Sequence, residues 1–461
     1  MRVAGSRWFG IFLFSCLMLG LLGCVDGVSS NWLSDRAVAQ SQDRSARSPE
    51  VLYPSPEEIS DMAQSSVSPS PAPGQIPGQI PGQASSQNTV DARLVAANTR
   101  FGFKLFSQLF EQGQTQNVMV SPTSVAIALS MAYNGASGST QQAMAEALEF
   151  QGMSLAEINQ ANGALENSLE AADPSVKLAI ANSLWGNQGF AFKADFLQRN
   201  QEFYQAEVTN LDFKSPDAAD RINAWVNDNT QGKIPEIVKE IDPQQVMFLI
   251  NAVYFKGTWT KPFDPQRTSD RPFTLLDGSQ KQHPLMSQQG SYQYYENDQF
   301  QAVNLPYGNG RLSFYVFLPR ANSSLKSFAQ TLTADHWDTW MGRFASRPGS
   351  IQLPRFKFSY GTSLNDALQA IGMAPVFDAG QADFSGLSEE PTLINEVQHK
   401  TFIEVNEEGT EAAAATSVGI ARMSAPTAPP FQMVVDRPFF TAIRDNQTGA
   451  VLFMGTVVEP E

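Results

Sequence analysis

Residues 407–421 read Glu-Glu-Gly-Thr-Glu-Ala-Ala-Ala-Ala-Thr-Ser-Val-Gly-Ile-Ala. Taken with period two, Thr410, Ala412, Ala414, Thr416, Val418 and Ile420 fall on one face. Glu411, Ala413, Ala415, Ser417, Gly419 and Ala421 fall on the other. An apolar or small face opposite a small or polar one is the pattern of a half-buried strand. Ala is a weak strand former, however, and Gly409 and Gly419 are weaker still. Such a segment can enter a sheet without clashing, but its propensities do not hold it there. It reads as a loop first and a strand later. Alone, an Ala-rich run reads equally as a linker or a short helix, so its neighbours must decide.

The preceding stretch is Asn395-Glu396-Val397-Gln398-His399-Lys400-Thr401-Phe402-Ile403-Glu404-Val405-Asn406, and Asp436-Arg437-Pro438-Phe439-Phe440 follows. Together these resemble the reactive-centre loop of the serpins, the serine protease inhibitor superfamily. The likeness extends over residues 91–461. Asn117-Val118-Met119-Val120-Ser121-Pro122-Thr123-Ser124 is similar to the lead into that family's buried central helix. Asn251-Ala252-Val253-Tyr254-Phe255-Lys256-Gly257-Thr258-Trp259 is similar to a central strand of its main sheet. Pro262-Phe263-Asp264 and Phe453-Met454-Gly455 match further motifs in order. The resemblance implies an α+β serpin fold: three β-sheets, about nine helices and an exposed reactive-centre loop.

Patterning along the chain agrees with α+β. Phe101, Leu105, Phe106, Leu109 and Phe110 mark an amphipathic helix closed by Gly113. Ser121-Pro122 opens a mostly apolar helix that stops at Asn134-Gly135, and Ser215-Pro216 caps another carrying Ile222, Trp225 and Val226. Strands are expected at Val246 to Phe255, Leu312 to Leu318, Ile351 to Phe358, Thr401 to Val405 and Val451 to Val457. The first is apolar almost throughout, which suits a central strand. Helices lead and strands follow, an α+β order.

The first 90 residues have another character. Arg2 and Arg7 precede an apolar run from Trp8 to Leu22, the pattern of a signal peptide over 1–23 and too short to span a bilayer. It ends Leu21-Leu22-Gly23-Cys24, which resembles the lipobox of bacterial lipoproteins and implies lipidation of Cys24. The competing reading is a plain secretory signal with an incidental Cys. The only other cysteine is Cys16, inside the signal, so Cys24 has no structural partner. Residues 24–90 are rich in Pro, Ser and Gln, with a Pro-Gly-Gln-Ile repeat over 73–83, and are expected to be a disordered tether. The localisation expected is an exported lipoprotein held on a membrane, periplasmic or at the cell surface.

Composition excludes several function classes. A formal charge of −15 suits neither nucleic acid nor heparin-like polyanions. The stretch Ser154 to Ala172, where heparin-activated serpins are basic, holds Glu157, Glu166 and Glu170 and neither Lys nor Arg. No Gly-x-Ser-x-Gly, His-Glu-x-x-His or phosphate-binding glycine loop occurs. His283, His336 and His399 are far apart, and no metal or cofactor is expected. The chain is read as not an enzyme, and as a monomer.

What the resemblance implies for mechanism is specific. Ser121, Ser124, Asn251 and His399 fall on the shutter, a polar cluster beneath the gap where the loop inserts, and Trp259 falls at the breach above it. The hinge is Glu408, Gly409, Thr410, Glu411, Ala412, Ala413, Ala414, Ala415 and Thr416. Counting fourteen residues on from Gly409 gives Met423, so the reactive bond is expected at Met423-Ser424, with Arg422-Met423 as the alternative. Met423 suits elastase-, chymotrypsin- or subtilisin-like proteases, and Arg422 would suit trypsin-like ones. From Gly409 to Met423 an inserted strand would run about 50 Å. The rival function is a non-inhibitory serpin acting as a binding or chaperone-like scaffold. Such relatives often carry Pro or bulky, charged residues in the hinge, and apart from Glu408 and Glu411 this hinge has none of that kind.

Overall fold

Two strands that read as one in the sequence show how the molecule is divided. The expected strand Ile351 to Phe358 is broken at Arg355, and its halves enter different sheets in the computed structural model, which describes residues 89–410 and 429–461. β9 (Ala345–Pro354) ends where β10 (Phe356–Ser363) begins. The physical reason is visible in the residues. The buried positions change phase, from Ile351 and Leu353 to Phe356 and Phe358, and Pro354 offers no N–H to a ladder.

The main sheet has six strands, in the order β10, β11 (Glu396–Val405), β12 (Gly409–Thr410), β4 (Met247–Thr258), β2 (Val176–Asn187) and β3 (Glu207–Leu211). The remaining strands are β1 (Val118–Val120), β5 (Ser269–Thr274), β6 (Gln280–Glu296), β7 (Phe300–Pro306), β8 (Leu312–Pro319), β9, β13 (Phe431–Val434), β14 (Phe439–Asp445) and β15 (Val451–Val457). They form one nine-stranded sheet whose two parts meet at β6. Its last residues, Gln293 to Glu296, pair with β7 and continue through β8, β14 and β15 to β1. Its earlier part pairs with β5 and β9, and β9 pairs with β13.

The described residues form nine α-helices. They are α1 (Ala92–Gln112), α2 (Pro122–Tyr133), α3 (Gly138–Ala147), α4 (Leu155–Glu170), α5 (Ala194–Tyr204), α6 (Ala218–Asn229), α7 (Leu325–Ala329), α8 (Ala334–Met341) and α9 (Asn365–Leu368). All of them lie in the compact unit Gln83–Glu461. α1 ends at Gly113 and α2 at Asn134, the stops the sequence signals. α6 starts at Ala218 rather than at Ser215-Pro216, because Ser215 and Asp217 bond to each other ahead of the first turn.

Three layers position the site. Every residue of α2 is buried, as expected for a helix apolar on all sides. It lies behind the main sheet, with Val125 and Leu129 in the same core as Leu249, Val253 and Phe255 of β4. α6 covers the front, setting Ile222 and Val226 against Ala181, Trp185, Phe248 and Ile250. Alternate residues of β4 thus enter two separate cores, which accounts for its nearly unbroken apolar sequence.

Candidate functional site

The main sheet contains one irregular line. β4 and β11 run parallel and pair directly from Phe248↔Glu396 to Tyr254↔Phe402. Above that point they part, and β12 enters between them, antiparallel to both. Gly409 pairs with Thr258, and Thr410 pairs with Gly257 on one side and Val405 on the other. The seam is therefore closed at its lower end and wedged open at its top.

On the back face, a polar cluster spans the seam against α2. Asn251 Nδ2 donates to Ser124 Oγ at 2.5 Å and also to Asn182 Oδ1 of β2. His399 Nδ1 lies 2.5 Å from Asn251 Oδ1, and the Ser121 backbone N–H donates to His399 Nε2 at 3.2 Å. The last bond makes Nε2 an acceptor, so Nδ1 carries the proton of a neutral imidazole and donates it to Asn251. Thr401 Oγ1 donates to the Met119 carbonyl at 3.0 Å. The structure thus brings Ser121, Ser124, Asn251 and His399 together, Ser121 through its backbone, and places Trp259 apart, at the top of the seam. Sequence reasoning missed Asn182 and Thr401. The polar pair Asn182-Ser183, inside an otherwise strand-like run, was the available signal for the first.

Full burial pushes the His399 imidazole down to about 3. The sign of the pH effect follows. The unfolded chain takes up a proton below pH 6.5 and the folded chain refuses it until about pH 3, so stability is complete above 6.5 and is lost as pH falls toward 3. Between pH 6.5 and 5 the loss amounts to about 2 kcal/mol. Urea midpoints recorded across that range should fall further for wild type than for His399→Gln. Parallel curves would show that the imidazole is not the group responsible.

At the top of the seam, the turn between β11 and β12 is held on every side. Asn406 Oδ1 accepts from the Glu408 and Gly409 N–H groups at 3.0 and 3.3 Å. The carbonyls of Asn406, Glu407 and Glu408 accept from Trp259 Nε1, the Phe263 N–H and the Trp259 N–H, at 2.9, 2.8 and 2.9 Å. Glu407 is buried, and Arg355 Nε and Thr268 Oγ1 donate to its carboxylate at 2.7 and 2.5 Å. Burial pushes that carboxyl up, but the bonds from Arg355 and Thr268 outweigh it and hold the group below the usual carboxylate range. Arg355, the residue at the break between β9 and β10, is thereby the clamp on the hinge.

The two seated residues have their own requirements. A Cβ on Gly409 would lie 2.0 Å from the Gly257 carbonyl oxygen, so only glycine passes there. Thr410 is fully buried, and its hydroxyl lies 2.6 Å from the Tyr307 hydroxyl. The Tyr307 ring stacks on Trp259, with centroids 4.5 Å apart and planes at 9°. Glu408 is exposed on the turn. Of the other residues singled out in the sequence, Glu411, Ala412, Ala413, Ala414, Ala415, Thr416, Arg422, Met423, Ser424 and Cys24 lie outside the described residues.

A protein-family model described as "Serpin (serine protease inhibitor)" matches residues 96–460. Leukocyte elastase inhibitor A of Mus musculus is 36% identical over 381 residues, covering 80% of this chain and 100% of that protein. The crystal structure of the thermophilic serpin Tengpin in its native state is similar with a TM-score of 0.74 at 33% identity, covering 80% of this chain and 95% of that one. Human thyroxine-binding globulin complexed with its ligand is similar with a TM-score of 0.74 at 27% identity, covering 80% and 99%.

Proposed function

The chain belongs to the serpin family, and from that membership we propose that it inhibits serine proteases as a suicide substrate. One observation carries the reading. The first residues of the hinge already sit antiparallel between two parallel strands, as the leading end of a strand that has further to go. Continuing the same antiparallel register sets Ala412 opposite Phe255, Ala414 opposite Val253, and Ile420 opposite Met247, where β4 begins. The residues that would turn to the back face are small at the top, where Phe255 and Tyr307 already fill the space.

The same register brings Thr416 opposite Asn251 and His399. Moving β11 aside by one strand width, about 4.8 Å, breaks the His399–Asn251 bond. A hydroxyl replaces it on both sides, donating to Asn251 Oδ1 and accepting from His399 Nδ1–H. The shutter then exchanges partners without leaving a buried polar group bare.

In the reaction, the protease serine oxygen attacks the Met423 carbonyl. The Met423–Ser424 amide breaks, an ester forms between Met423 and the protease, and the serine proton ends on the new amine of Ser424. Insertion of the freed segment draws the ester away before water cleaves it. The Leukocyte elastase inhibitor likeness supports a serine protease as partner, and the absence of Lys and Arg from α4 supports inhibition without heparin. Likeness to thyroxine-binding globulin favours a second reading, a binding scaffold that inhibits nothing.

Mixing the protein with an elastase-, chymotrypsin- or subtilisin-type enzyme should give a complex that survives SDS. Cutting the loop should also raise the thermal midpoint by at least 20 °C, the span that about 10 kcal/mol supplies at roughly 2 °C per kcal/mol. Clean cleavage with no complex and no gain in midpoint would select the scaffold.

A further inference from the structure

One rung below Thr410, the front face of the main sheet carries an uncompensated pair of charges. The β2–β4 register sets Lys177 directly opposite Lys256. Like charges in that position repel. The chain has 46 acidic residues against 31 basic ones, yet among the described residues neither lysine takes part in an ion pair. Across the seam, the same rung holds Glu404, whose carboxylate lies 3.3 Å from Lys357 Nζ.

We propose that Lys177 and Lys256 form a receiving site for a carboxylate carried on an antiparallel strand entering between β4 and β11, and that its occupant is this chain's own segment 411–416, with Glu411 opposite Lys256. The inference rests on the insertion reading above. Parity supports it: Thr410 pairs with Gly257 and faces the back, so the next residue faces the front, as Lys256 does. Extending the register by one residue sets position 411 between Lys256 on β4 and Glu404 on β11. Glu411 is the one charged residue in 409–421. Arriving alone beside Glu404 it would be repelled, but Lys357 already holds Glu404 and the lysine pair faces the newcomer.

The site also fixes register. A slip of one residue would turn the Glu411 carboxylate into the back core. A slip of two would set it opposite Thr258 or Tyr254 instead of a lysine. Lys256 is thus a positioning residue for the inserting strand.

Charge reversal tests this in the full chain, with Lys256→Glu, Glu411→Lys and the double variant. The readouts are inhibitor molecules consumed per complex formed and the thermal midpoint after loop cleavage. Each single variant should consume about three- to ten-fold more inhibitor per complex, as expected for an exposed pair reversed. The double variant should return to within about twofold of wild type, and 1 M salt should shrink all the differences. Lys256→Met, which keeps the stem, should fall between wild type and Lys256→Glu. Single variants matching wild type, or a double variant that is only the sum of its parts, would overturn the proposal. Failure of the insertion reading looks different: wild type itself would form no complex and gain no stability on cleavage.

Discussion

Thr410→Arg is expected to turn the inhibitor into an ordinary substrate. Thr410 is fully buried beneath the turn, with its hydroxyl on Tyr307 and Trp259 stacked beyond. A guanidinium has neither the space nor a carboxylate there, and burying it unpaired costs several kcal/mol. The hinge would have to leave the seam, and re-entry after cleavage would carry the same penalty. Since 1.4 kcal/mol is a factor of ten in rate, insertion should slow by a hundred-fold or more, and hydrolysis of the acyl-enzyme should overtake it. A titration should show the loop cut and the protease still active. Covalent complexes formed by the variant at wild-type stoichiometry would show that strand insertion is not the trap.

Met423→Glu should abolish trapping of elastase-like proteases, whereas Arg422→Ala should leave it nearly intact. An apolar primary pocket takes the uncharged thioether readily, but an ionised carboxylate there lacks a partner and loses several kcal/mol, about three orders of magnitude in association. The opposite outcome, with Arg422→Ala ending inhibition and Met423→Glu mild, would move the reactive bond to Arg422-Met423 and make the target trypsin-like.

Much of the scaffold is legible in the sequence because it is local. The helical spacing of Phe101 to Phe110, the apolar run of β4 and the stops at Gly113 and Asn134 each depend on neighbours within a few residues. β2 is harder to see, since Ala179, Ala181, Asn182 and Gly186 weaken its alternation. They are tolerated because β3 and β4 flank the strand and supply the packing that its own residues lack. Within the site, Ser121, Ser124, Asn251 and His399 are found through motifs. Arg355 and Tyr307 are not, because their partners lie 52 and 103 residues away and only register brings them there. The break at Arg355 was readable as a change of phase, and reading the stretch as one strand hid the clamp along with the break.

The seam also sets an order of events during folding. His399 and Asn251 are 148 residues apart, and His399 and Ser121 are 278 apart, so the line between β4 and β11 and its cluster against α2 are long-range contacts. Contacts of that separation close late, because the entropy of the intervening chain must be given up first. On a ribosome the delay is absolute: β4 and β2 are complete long before Glu396 is made. For that interval one long edge of β4 has no partner, although it is destined for the middle of a sheet. An unpaired apolar edge recruits any strand that reaches it. Yield should therefore depend on how soon β11 arrives, and slowing translation just upstream of residue 396 should send more chains to aggregate than slowing it within β15.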